Sequence, residues 1–165
     1  MATSRIPAFI AALVAAFTAE PTLGAGGITD PPVTVVDGPR ITAETGTLTL
    51  WVGADQIDNP TPIAANNEQQ WMAGGGRRGR VEQLAVHCTI QAKSGSDEIA
   101  PLRTRAANVL ASVEAVLRAD PGLSGLLPNA DAAVTSAEWR QYPGSPGMAV
   151  RVMFTISATA ILGAQ

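Results

Sequence analysis

Apolar residues near the start of the chain recur at Ile6, Phe9, Ile10, Leu13, Val14 and Phe17. This i, i+3, i+4, i+7 spacing paints one stripe on a helix and leaves mostly Ala opposite, so it predicts a core helix over residues 6–17. The same run, with Arg5 before it and Phe17-Thr18-Ala19 ahead of Glu20, imitates an export signal with a small-residue cleavage site. A signal segment has no use for a one-sided stripe, and this stretch is too short to cross a bilayer. The core helix is therefore the preferred reading, and no membrane partner is expected.

Gly24, Gly26, Gly27, Pro31 and Pro32 end that helix. A short strand fits residues 33–36, and a second fits 47–52, where Leu48, Leu50 and Val52 alternate with Thr47, Thr49 and Trp51 until Gly53. Residues 54–79 have no usable periodicity. Asn59-Pro60, Pro62, Asn66-Asn67 and Gly74-Gly75-Gly76 punctuate them, which predicts a long mobile loop with room for one short helix around residues 68–72. The clearest central strand is 80–93, with Leu84, Val86, Cys88 and Ile90 on one face and His87, Thr89 and Gln91 on the other. After Gly95, the side chains of Ser96, Asp97 and Glu98 offer caps for a second, long helix that runs to Ala119. Its stripe is Leu102, Ala106, Val109, Leu110, Val113 and Leu117; Arg103, Arg105, Glu114 and Arg118 are its wet face. Strands at 132–142 and 148–162 close the chain as a hairpin, joined by the five residues Pro143-Gly144-Ser145-Pro146-Gly147. This order predicts an α+β fold: a single mixed or antiparallel sheet packed by the N-terminal helix and the second long helix, with a C-terminal β-hairpin. Residues 1–165 read as one domain with a long loop at about 54–79.

Composition narrows the chemistry. A chain of 165 residues buries about 70% of its unfolded surface and needs no staples. One cysteine, Cys88, excludes an intrachain disulfide, and with His87 as the one histidine the usual zinc ligand sets are missing. Adjacent on a strand, these two point to opposite faces and cannot serve as nucleophile and base. Gly74 and Gly79 are spaced as in a phosphate loop, but Arg80-Val81 stands where Lys and Ser or Thr are required. Asp55 and Asp58 leave a small carboxylate hydrolase as the enzymatic alternative. No cofactor motif is found.

Charge is unevenly placed. Residues 1–76 hold two Arg against seven acids, net −5; residues 77–105 hold six bases against three acids, net +3; the rest hold three against four, net −1. The basic part is local, which argues against a dedicated nucleic-acid binder. Ten of the eleven bases are Arg, which with the abundance of Ala and Gly points to a GC-rich coding genome. Arg77, Arg78 and Arg80 form the densest cluster and are read as partner contacts, since Arg is favoured at interfaces and the N-terminal segment carries the matching negative excess. Of the three Trp, Trp51 and Trp71 are each either a cover for a second core or an exposed anchor, and Trp139 is assigned to packing in the hairpin.

The run Arg78-x-Arg80-Val-Glu82, the alternating strand through Cys88, Gly95-x-Asp97, Arg103-x-Arg105-Ala106, Val113-Glu114, Leu117-Arg118-x-Asp120-Pro121 and Leu123-x-Gly125 together resemble tail terminator proteins of long, non-contractile-tailed (siphovirus-type) bacteriophages. The order of elements is similar too, and the likeness covers nearly the whole chain, least in the N-terminal Gly/Pro segment and residues 54–73. It implies a structural virion protein at the neck-proximal end of the tail, with no cofactor and no reaction. Such a protein caps the tail tube and joins it to the filled head. Its implied partners are further copies of itself in a ring, typically of six, the major tail tube protein and a neck or head-completion protein, with DNA passing unbound through the lumen. Trp71, Arg77, Arg78, Arg80, Arg103 and Arg105 are the expected interface residues. The alternative in the same setting is a head-closure or tail-tube subunit.

Overall fold

The structure is a computed structural model that describes residues 4–23, 32–39, 47–56, 61–71, 79–127, 131–143 and 147–162. In chain order its elements are α1 (Ile6–Ala19), β1 (Thr34–Asp37), β2 (Leu48–Val52), β3 (Ala65–Trp71), β4 (Arg80–Ser94), α2 (Ile99–Ala119), β5 (Ala133–Pro143) and β6 (Met148–Leu162). The strands form one mixed sheet in the order β1-β2-β4-β6-β5, with β3 also paired to β4. Only β1 and β2 run parallel; every other pair is antiparallel. This is the α+β architecture that the hydrophobic pattern predicts.

Strand β4 is the axis because its alternation fits a sheet interior. One edge pairs with β6 along all fifteen of its residues. The other edge is shared end to end: β3 takes Arg80 to Val86 and β2 takes Cys88 to Ala92. His87 is the junction. Its carbonyl accepts from the N–H groups of Gly53 and Ala54 (2.8 and 2.9 Å), and its own N–H donates to the Ala64 carbonyl (3.0 Å).

Directly opposed residues share a face, so Leu84, Val86, Cys88 and Ile90 lie with Ala158, Ile156, Phe154 and Val152. All are buried, and both helices pack there. Helix α1 inserts Phe9, Leu13 and Phe17, each fully buried, and each worth about 1.5–3 kcal/mol of transfer free energy. Helix α2 inserts Leu102, Ala106, Val109, Val113 and Leu117. Its expected side-chain cap is not formed: Glu98 is the N-cap residue without a side-chain cap bond, and Ser96 instead accepts from the Glu98 N–H at 3.1 Å. The Glu114–Arg118 pair spans 3.8 Å on its exposed face. On the far side of the sheet, Val36, Trp51 and Ala54 make a small second cluster, so Trp51 is the cover and not an anchor.

Three expectations need correction. Residues 54–79 are not one long loop, because seven of them form β3; the short helix placed around 68–72 overlaps a strand. The polar run Asn66-Asn67-Glu68-Gln69-Gln70 is extended because β4 pairs with it residue for residue, not because its own pattern demands it. Trp139 does not pack in the hairpin: it is 41% exposed. A bulge between Val134 and Ser136 resets the phase of β5; Val134 packs on the core, while Ala137, Trp139 and Gln141 on the same face are exposed. The hairpin connection is also shorter than expected, since Pro143 already pairs with Met148.

Candidate assembly interface

Trp71 ends β3 and Arg80 opens β4, and the antiparallel register sets them directly opposite. The Arg80 guanidinium lies 6.0 Å from the centre of the Trp71 ring, at the outer limit of a cation–π contact. Trp71 is 70% exposed. A large aromatic held by its strand partner yet open to solvent has the properties of an anchor: area to bury on contact, and little side-chain entropy left to lose.

Beneath this pair sits Glu82, which has no exposed surface. Its carboxylate accepts from the backbone N–H of Arg5 (2.9 Å), from Asn67 Nδ2 (2.6 Å) and from Gln69 Nε2 (3.2 Å). Burial by itself would raise its pKa, but these bonds and one from Ser4 outweigh burial and hold the carboxyl below its ordinary value. The Arg5 side chain in turn donates to the Leu126 carbonyl. One carboxylate thereby ties the start of α1, the inner side of β3 and the Trp71 end of the sheet together.

Of the other expected interface residues, Arg103 and Arg105 do not join this group. Arg103 and Arg105 lie in the first turns of α2, beside the end of β4. Arg80 is at its beginning, and fourteen steps of about 3.3 Å put roughly 45 Å of strand between them. Arg77 and Arg78 lie outside the described residues.

A cleft of about 310 Å³ opens on the helix-free face, lined among others by Asp55, His87, Glu138, Arg140 and Thr155. Several of its polar groups already have partners within the chain. His87 lies between Asn66 Nδ2 and Thr155 Oγ1 at 3.2 Å each, Asp55 accepts from the Ile63 N–H at 2.8 Å, and Glu138 meets Arg140 at 2.8 Å. Cys88 is on the opposite, core side; burial is the main cause that pushes its thiol up to about 12, so the thiolate a nucleophile needs is not populated near neutrality. Asp58 lies outside the described residues. Among the described residues, no three His, Cys, Asp or Glu side chains gather as a metal-binding group, and no helix is long and apolar enough to cross a membrane.

Sequence reasoning singled out Trp71 and Arg80 but placed Trp71 in a loop. It missed the burial of Glu82. The signal was there in the spacing, since Glu82 is two residues before Leu84 and so falls on the apolar face of β4. No family model matches the chain, and none of the curated proteins compared with it does.

Proposed function

We propose that this chain is a tail terminator of a long, non-contractile phage tail: a structural subunit that closes into a ring, typically of six, on the end of the tail tube and presents a surface to the neck of the filled head. The observation that carries the reading is the Trp71–Arg80 pair, in which an exposed aromatic anchor on β3 is set against Arg80 of the Arg78-x-Arg80-Val-Glu82 run that forms part of the family likeness. The order of helix, strands, long helix and hairpin supports it. A ring of identical chains joins unlike surfaces head to tail, and a net charge of −3 suits a lumen through which DNA slides without sticking.

The test is assembly of the purified protein alone and with preformed tail tubes, read by light scattering and negative-stain images. Closed rings, or densities capping tube ends, are the expected result. Long self-assembled tubes would reassign the chain as a tube subunit. Attachment to the head vertex without binding to tube ends would make it a head-closure subunit, and a monomer that binds neither would overturn the proposal.

A further inference from the structure

Among the described residues three strands of the sheet have an edge with no strand partner: the short, largely covered β1, and the longer β3 and β5. Strand β5 pairs only with β6, and β3 only with β4. Apart from Ala65, all of β3 is exposed, as is nearly all of β5. Unpaired backbone donors and acceptors on a long exposed edge are a template for a further strand. We propose that the β5 edge of one copy takes the β3 edge of the next, so that the sheet runs on from chain to chain.

Direction permits it. From β3 through β4 and β6 to β5 each pairing is antiparallel; three reversals leave β3 antiparallel to β5. Two copies set side by side in the same orientation therefore offer an antiparallel pair, whose bonds lie perpendicular to the strands and make the slightly more stable ladder.

Length and phase select a register. The part of β5 beyond its bulge, residues 136–143, has eight residues and β3 has seven, so two full-length placements are open, and only the one on 137–143 matches the faces. Laid against each other antiparallel, Ala65 meets Pro143, Glu68 meets Arg140, Gln69 meets Trp139 and Trp71 meets Ala137. Every residue then keeps its face. Glu68 pairs with Gln83 and Arg140 with Arg151 on the helix-free side, whereas Trp71 and Trp139 lie on the helix side. A slip by one residue would put each side chain against the wrong face.

Charge points the same way. Arg140 stands directly across from Arg151, an unfavourable cross-strand placement, and Glu138 is the carboxylate that reaches Arg140. Glu138 and Arg140 balance within β5, and the net positive charge of the β5–β6 pair comes from Arg151 on β6, whose guanidinium lies 5.0 Å from the centre of the Tyr142 ring. The edge of β3 carries Glu68 among Asn and Gln, and Glu68 makes no ion pair among the described residues. The register above delivers that carboxylate to Arg140, and sets the small Ala137 beside the exposed Trp71 ring.

This deepens the ring reading and rests on it only for closure into a ring. The experiment is disulfide trapping in the full chain with Glu68→Cys and Arg140→Cys together; Cys88 is buried and does not compete. Mild oxidation is expected to give a ladder of covalent multimers on a non-reducing gel, while Glu68→Cys with Gln141→Cys, which places the thiols on opposite faces, gives none. A charge pair provides the second arm. Arg140→Glu is expected to weaken association on the order of tenfold, and adding Glu68→Arg to it to restore the parent mass. Three results would overturn the proposal: a monomer at every concentration, crosslinking of Arg140→Cys alone, which means two β5 edges meet, or assembled protein that neither crosslinks at 68 and 140 nor responds to the charge swap. Closed rings without this crosslink would remove the strand pairing and leave the terminator reading standing. The crosslink in open fibres would do the reverse.

Discussion

At Glu82 a carboxylate without exposed surface is kept ionised by hydrogen bonds from Ser4, Arg5, Asn67 and Gln69. Hydrogen bonds to a charged acceptor contribute about 1.5–3 kcal/mol net, so Glu82→Gln, which keeps the shape but turns an amide N–H₂ toward donors, is expected to cost about 2 kcal/mol. In a chain of this length that is about 4–8 °C in Tm. The folded carboxyl has a pKa below its ordinary value of 4.5. Its contribution is therefore complete above 4.5, where the unfolded carboxyl is also ionised, and is lost as pH falls through the lower folded value. Thermal melts of parent and variant should differ at neutral pH and converge in acid. A gap of equal size at both would show that a neutral acceptor, and not the charge, is what Glu82 supplies.

Among the elements, those with a hydrophobic period of their own were legible. The Phe9, Leu13 and Phe17 stripe became the buried face of α1, and β4 and β6 begin where their alternation begins. Strand β3 was not, because Asn66 to Gln70 carry no alternation; their strand state comes from β4 and from the ties of Asn67 and Gln69 to Glu82. Distant partners of this kind leave no local trace. The hairpin joint is a case where a sequence signal, Gly147, has a tertiary reason as well as a local one. Its φ is +88°, and an added Cβ would run into the Ser94 carbonyl and lie 2.7 Å from Gly95 Cα, so the tip of β5–β6 presses on the end of β4. Gly125 has a similar φ of +84° with open space around it. Gly125→Ala is expected to cost about 1 kcal/mol from backbone strain alone, and Gly147→Ala at least about twice that because backbone must also move. Urea midpoints of the two variants check this; equal shifts would mean that the hairpin tip yields freely.

At the scale of the whole molecule, the three tryptophans report on which surfaces an assembly covers. Trp51 is 4% exposed on the helix-free face, whereas Trp71 and Trp139 are 70% and 41% exposed on the helix side of the edge strands β3 and β5. If copies join through these edges, both exposed rings lose water together, because one strand register brings Gln69 to Trp139 and Trp71 to Ala137. Any contact surface elsewhere on the chain would leave them wet. Acrylamide quenching of tryptophan emission, followed from dilute to concentrated protein, separates the two cases. The parent should be strongly quenched when dilute and become several-fold less so on assembly, with each of Trp71→Phe and Trp139→Phe retaining part of that change. The double variant, in which Trp51 alone emits, should be weakly quenched at every concentration, since its ring is already buried within the subunit. Neither exposed ring contributes much to the core, so the Tm of both single variants should stay within about 1–2 °C of the parent. Assembly that leaves the parent's quenching unchanged would place the subunit contacts away from β3 and β5, and strong quenching of the double variant would show that the Trp51 cluster opens in solution.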